Sequence, residues 1–158
     1  RGESLLCGFY LNELLLKLVA RDDAHEALYD AYEQTLHALA NGQLHDATLR
    51  RFELRLLKEL GYAPSLDCEG HSGKPIEAAS RYHYLIESGP VRSVSDGDGT
   101  AQNRLELSGQ TLLDMARDEY KNPVTLQQSK ALMRMLINHY LGNQMLNTRQ
   151  LLKDLQQL

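Results

Sequence analysis

Leu49-Arg50-Arg51-Phe52-Glu53-Leu54-Arg55-Leu56-Leu57-Lys58-Glu59-Leu60-Gly61 is the stretch on which the reading of the fold turns. Leu49, Phe52, Leu56 and Leu60 recur at helical spacing, so one side of this segment is built for burial. Arg51, Arg55 and Lys58 follow one another along another side, which makes it a core helix carrying a basic ridge. Asp46 is placed to cap its start, and Gly61 can take the left-handed conformation that ends a helix. Arg50 and Arg51 then stand near the positive end of the helix dipole, an unfavourable place for cations that calls for an anionic partner.

Upstream, residues 4 to 21 read as a first helix whose polar positions are so few that it must be covered over most of its circumference. Asn12, Glu13 and Lys17 interrupt its apolar run, which is shorter than the ~20 residues a membrane span requires and lacks the charged n-region and cleavage site of a signal peptide. Asp23 and Glu26 stand at capping-box spacing and open a second helix that runs to about Ala40. Leu28, Tyr32, Leu36 and Leu39 lie on its inner face, and Asn41-Gly42 stops it.

Downstream, Tyr62 to Ser80 is rich in Pro, Gly, Ser and Asp and keeps no period, so it reads as an ordered loop. Arg81 to Ile86 has strand composition, Ser88-Gly89-Pro90 a turn, and Val91 to Val94 the return of a small hairpin. Asp96 to Gly99 reads as a flexible tip, and Leu105 to Leu107 as a short strand or a connector. Ser108 caps a fourth helix, Asn122-Pro123 separates it from a fifth, and Thr125 with Gln128 repeats the capping-box spacing. The fifth helix runs to Gly142, and Thr148 opens a terminal helix with Leu151, Leu152, Leu155 and Leu158. The fold class is mostly α: a bundle of five to six helices, in one domain over 1–158, with a small β-hairpin inserted within 61–107.

A chain of 158 residues suits one well-buried core. With a net charge of -4, binding of nucleic acid by bulk charge is excluded, and any such surface must be a local patch. Two cysteines are too few for a disulfide framework and suit a reducing, cytoplasmic compartment. Cys68-Glu69-Gly70-His71 has the spacing of half a zinc knuckle with His83 downstream, but no second pair completes four ligands. Asp96 and Asp98 open a calcium-like loop that fails at Ala101 and Leu107, and His25-Glu26 meets Tyr29 where a metalloprotease needs a second His. No phosphate loop or nucleophile elbow occurs, so neither a cofactor nor catalysis is expected. The remaining candidates are basic: Arg50, Arg51, Arg55 and Lys58, then Lys130 with Arg134, and Arg149 with Lys153, each of these two pairs one helical turn apart.

Arg50-Arg51-Phe52-Glu53-Leu54-x-Leu56-Leu57-x-x-Leu60-Gly61-Tyr62 resembles the helical part of the bacterial DNA repair protein RecO family. Gly8-Phe9-Tyr10-Leu11-Asn12-Glu13-Leu14 is similar to the opening helix of that part, Tyr82 to Gly89 to its hairpin, and Tyr140-Leu141-Gly142 through Asn147-Thr148-Arg149-Gln150-Leu151 to its closing helices. The resemblance implies a non-enzymatic recombination mediator, nucleoid-associated, that works with RecR to load RecA onto single-stranded DNA coated by the single-stranded DNA-binding protein SSB, and that anneals strands. Family members begin with an OB-fold. The first residue here is Arg1 rather than Met, so the chain is expected to be a piece lacking that domain, with most single- and double-strand DNA contact residing in the OB-fold. Many members carry a four-cysteine zinc site at the 61–107 insertion, whereas here only Cys68 remains, which places the resemblance in a zinc-free branch.

The resemblance further implies that the helical part receives the acidic C-terminal tail of SSB. Such a tail ends in an apolar residue with a free carboxylate, so its receptor is an apolar notch edged by guanidinium groups. Arg50, Arg51 and Arg55 are the expected rim, Tyr32 and Leu36 the expected walls, and Lys58, Lys130, Arg134, Arg149 and Lys153 weaker contacts to nucleic acid. The competing readings are a helical scaffold whose ridge only makes surface salt bridges, and a zinc hydrolase built on Cys68, His71 and His83.

Overall fold

A computed structural model of the chain describes residues 2–94, 104–142, 144 and 146–156, with the side chains of 152, 153, 155 and 156 outside that description. The expected tip at Asp96 to Gly99 and the terminal Leu158 lie outside the described residues. The elements run α1 (Gly2–Leu18), α2 (Glu26–Ala40), α3 (His45–Glu59), β1 (Arg81–Leu85), β2 (Gly89–Arg92), β3 (Glu106–Ser108), α4 (Gly109–Ala116), α5 (Pro123–Leu141) and α6 (Asn147–Gln156). The chain is mostly α with a hairpin insertion, as its periodicities predict, and among the described residues no helix is long and apolar enough to cross a membrane. Contacts divide it into two compact units, 1–62 with 137–158, and 63–136, so the second extends past the 61–107 insertion to Leu136.

In the first unit, Leu11 and Leu14 of α1, Leu28 and Leu39 of α2, Phe52 and Leu56 of α3, and Ile137 and Leu141 form one buried cluster. Tyr32, Leu36, Leu49 and Leu60 pack against it, so both predicted inner faces are inward. The helix ends follow the glycines. Tyr62 N–H reaches Leu57 O at 2.7 Å and Gly61 N–H reaches Lys58 O at 3.1 Å, a Schellman closure that needs the left-handed φ of 82° at Gly61. Gly42 closes α2 in the same way.

The helix starts differ from prediction. α2 begins after His25 with no side-chain cap, so Asp23 does not close a capping box. α3 begins at His45, which puts Asp46 inside the first turn, where its charge favours the dipole without capping. Arg50 and Arg51 therefore lie beyond the first turn, and the dipole gives no reason for an anionic partner there. α6 begins at Asn147, and its first amides donate to a carboxylate from another helix: Asn147 N–H to Glu13 Oε2 at 3.0 Å and Thr148 N–H to Glu13 Oε1 at 3.2 Å.

Arg50 is the largest departure. It is 4% exposed, and its Nε and Nη2 donate to Glu53 Oε2 and Oε1 at 2.5 and 2.7 Å. Tyr10 O–H donates to Glu53 Oε1 at 2.7 Å. Burial works against the Arg50 charge, yet Glu53 outweighs it and raises the guanidinium pKa. The Tyr10 phenol is pushed well above its ordinary value, first by burial and then by the Glu53 carboxylate.

In the second unit a three-stranded antiparallel sheet has the order β2-β1-β3. Tyr82 and Tyr84 of β1 face inward, and Tyr82 pairs with the buried Leu107. The return strand starts earlier than predicted, at Gly89, and Pro90 is tolerated because β2 is an edge. Ser108 caps α4 as predicted, accepting from Gln110 N–H at 3.1 Å. The predicted Thr125–Gln128 capping box does not form. Asn122 Oδ1 takes Val124 N–H instead, Thr125 O–H donates to the buried Asp114 at 2.6 Å, and Gln128 Oε1 accepts from Ser108 N–H and Thr111 O–H.

The irregular loop is fastened to the hairpin by Arg92, which bonds Glu69 at 3.1 Å and Glu77 at 3.0 Å while lying over the Tyr82 ring. Gly70 lies so close to β2 that a Cβ there would sit 1.3 Å from the Ser88 carbonyl oxygen. Both carboxylates are held below their ordinary value, Glu69 chiefly by the Ser72 hydroxyl and then Arg92, Glu77 chiefly by Arg92.

Two outcomes are expected. Arg50→Met or Glu53→Leu alone leaves a buried charge unpaired and costs about 3–5 kcal/mol, read as a lower urea midpoint, while the double replacement costs less than the sum. Because Glu69 and Glu77 have lowered folded pKa values, their stabilisation is complete above the ordinary carboxylate range and is lost as pH falls through the lowered values. Amide protection across residues 67–92, corrected for the intrinsic pH dependence of exchange, should therefore fall on acidification below about pH 4, and Arg92→Met should lower it at neutral pH and shrink the acid step, leaving the part of Glu69 that Ser72 holds.

Candidate partner-binding groove

α2 and α3 pack along their length, but Ala27, Ala31 and Ala38 keep side chains short along one face of α2. The space they leave is a groove of about 500 Å³ between the two helices. Its floor is the buried Phe52 with Thr35 and Thr48, whose hydroxyls bond the carbonyls of Ala31 and Leu44 on their own helices. Neither threonine thus needs a polar partner from outside, and the floor can accept an apolar group.

Arg51 and Arg55 stand at the α3 edge, one turn apart and both exposed. Arg55 also reaches Glu59 at 3.1 Å with 43% of its side chain accessible, an exposed pair weak enough to exchange for another carboxylate. The facing edge carries Asp30, Gln34 and Gln43. Positive charge is confined to the α3 side, and a carboxylate entering the groove is repelled by Asp30 and drawn to the arginines.

Of the predicted rim, Arg51 and Arg55 are brought together here and Arg50 is not, since its guanidinium is spent on Glu53 inside the core. The predicted walls are also elsewhere. Tyr32 tilts against Phe52 with ring centroids 6.2 Å apart and Leu36 packs beside it in the core, so neither lines the groove. The residues that do were signalled by the spacing Ala27, Ala31, Thr35, Ala38, small side chains along one helical face.

The weaker basic set is dispersed. Lys58 is exposed in the last turn of α3, and Arg149 donates to Asn138. Lys130 and Arg134, exposed on α5, belong to the other unit, and the Lys153 side chain lies outside the described residues. Among the knuckle residues, Cys68 Sγ sits 3.5 Å from Ser65 Oγ and His71 is exposed, and no group of three potential metal ligands occurs among the described residues.

Comparison with known proteins connects this fold to a family. The chain is similar over residues 1–150 to the model described as Recombination protein O C terminal. It is 53% identical to the DNA repair protein RecO of Aromatoleum aromaticum, over 99% of this chain and 64% of that relative. It is 51% identical to that of Nitrosospira multiformis, over 100% of this chain and 64% of the relative, and 46% identical to that of an Azoarcus species, over 99% and 64%. The chain thus spans a little under two thirds of the length of these relatives. A family model matched along nearly its whole length settles the kinship: the chain belongs to the RecO family of DNA repair proteins, whose C-terminal part it matches.

Proposed function

We propose that this chain is the interaction module of a recombination mediator in DNA repair, and that its α2–α3 groove receives the acidic, apolar-ended C-terminal tail of SSB. The observation that carries this reading is the pairing, in one groove, of the short side chains of Ala27, Ala31 and Ala38 above the buried Phe52 with two exposed guanidiniums, Arg51 and Arg55, on a single edge. The terminal side chain would occupy the floor, and its carboxylate would take the arginines in charge-assisted hydrogen bonds. In the whole protein, this anchoring would serve loading of RecA together with RecR, and strand annealing. Contact with single- and double-stranded DNA would rest mainly on the part of the family's chain that lies outside this one, with Lys58, Lys130, Arg134, Arg149 and Lys153 contributing weakly. The module would act in the cytoplasm, by binding rather than by bond-making chemistry.

The Arg55–Glu59 pair favours a second reading, in which the ridge only makes surface salt bridges. Titration of an acidic peptide ending in a free apolar residue, followed by fluorescence anisotropy, separates the two. Arg51→Glu with Arg55→Glu should weaken binding by about tenfold or more, since a lost charged hydrogen bond is worth ~1.5–3 kcal/mol. Asp30→Asn should tighten it, added salt should weaken it, and amidating the peptide terminus should remove most of it. Affinity indifferent to all four changes would leave the scaffold reading standing.

A further inference from the structure

Within the first unit, the C-terminal ends of α3 and α5 are joined by two stacked tyrosines, neither of which lines the groove. Tyr62, just past α3, and Tyr140, in the last turn of α5, have ring centroids 4.2 Å apart and planes 15° from parallel. Tyr62 is placed by the Schellman closure, in which its N–H reaches Leu57 O, and Tyr140 meets the His139 imidazole nearly at right angles, 5.1 Å between centroids. Tyr140 is half-buried, whereas Tyr62 is 49% exposed, about what is left to a ring with one face covered and the other turned to water. The flanking glycines leave the approach open: a Cβ on Gly61, beside Tyr62, or on Gly142, two residues beyond Tyr140, would meet nothing within 4 Å. Of the charges in the last turn of α3, Glu59 is taken by Arg55, while the exposed Lys58 makes no ion pair among the described residues.

We propose that the open face of Tyr62 is a stacking platform for one unpaired nucleobase of a single strand, with Lys58 set to meet the adjoining backbone phosphate. An exposed aromatic ring gives a base the flat contact that its neighbour in the strand would otherwise give, and every base has a face that fits it. Stacking on Tyr140 fixes the ring beforehand, so little of the gain is lost in ordering it. Lys58 has the charge a phosphate requires, has no carboxylate to give up, and offsets the partial negative charge of the helix end beside it. Bases inside a duplex are covered on both faces by their neighbours, so the platform selects single strands. A protein partner fits the same features poorly, because one ring face and one ammonium fall far below the area of a stable interface, whereas a base needs no more than one ring. The platform deepens the weak nucleic-acid contact proposed for Lys58, on which it rests, and is independent of the α2–α3 groove.

Photocrosslinking tests the assignment. The 158-residue chain is irradiated with a single-stranded oligonucleotide carrying 5-iododeoxyuridine, and the adduct is located by peptide mass spectrometry. It should fall on Tyr62, and the same sequence in duplex form should give several-fold less of it. By fluorescence anisotropy, Tyr62→Leu should weaken single-strand binding about tenfold, and Tyr62→Phe should leave it within about twofold. A strand of abasic sites should bind the unaltered chain and Tyr62→Leu alike, which also shows that the variant is folded. Lys58→Gln should weaken binding of both kinds of strand and flatten its salt dependence. An adduct confined to other residues, no binding of the single strand, or an equal loss by Tyr62→Leu on abasic and base-bearing strands overturns the proposal. Loss of acidic-peptide binding with the Tyr62 adduct retained would count against the groove alone.

Discussion

The ion pair between Arg50 and Glu53 decides how α3 is turned, and much of the first unit follows from that. A guanidinium that is 4% exposed cannot be rotated partly out of its pairing without leaving two charges uncompensated, a penalty larger than the gain from any single leucine. With Arg50 directed inward, the next residue is carried about 100° around the helix and Arg51 goes to the surface. Phe52, Leu56 and Arg55 then take their places by arithmetic: the first two inward with the leucines of α1 and α2, the third one turn beyond Arg51. The groove has guanidiniums on one edge because the neighbouring guanidinium is locked inside. Tyr10 adds a third member from α1, so the pair also fixes how α1 and α3 face each other.

The same use of polar groups as connectors recurs in the second unit. Asp114 is buried yet bonded to Thr125 and Gln110, and Gln128 ties Ser108 and Thr111. These links join α4, α5 and the end of the sheet with directional bonds where apolar packing alone would leave sliding permitted. On the loop side, Arg92 with Glu69 and Glu77 gathers segments far apart in sequence, and the approach of Gly70 to the Ser88 carbonyl leaves no room for another side chain. Solvent reaches this clamp, so its worth lies in fixing geometry more than in raising stability.

What could be read from the sequence was whatever local spacing determines. Leu28, Leu39, Phe52 and Leu56 announce their faces, Gly42 and Gly61 their helix ends, and Arg81 to Leu85 its strand. Two of the misread caps share one cause. Asp23, Thr125 and Gln128 have the chemistry of caps, but a carboxylate, hydroxyl or amide can serve a distant partner as well as its own helix, and tertiary packing chose the distant partner for Thr125 and Gln128. The α6 start was invisible for the converse reason, since its cap, Glu13, lies on another helix. Arg50 and Arg51 are chemically identical neighbours, and only the rotation of α3 tells them apart. The groove was missed because a cavity is signalled by small side chains, and Ala27, Ala31 and Ala38 read simply as good helix formers.

Charge sets a further condition on what such a surface can recognise. The chain carries a net charge of -4, so an acidic partner approaches against the average field and gains only at short range. Screening in ordinary salt limits that average field to about 8–10 Å, which leaves the nearest groups in control. Within the groove those are Arg51 and Arg55 on α3 and Asp30 on α2. A single terminal carboxylate can be placed against the arginines and away from Asp30, whereas a long run of acids laid along the groove could not avoid it. On the proposed reading, the arrangement would favour a chain end over an acidic stretch, and an apolar terminal residue in the groove would supply the attraction that the overall charge withholds.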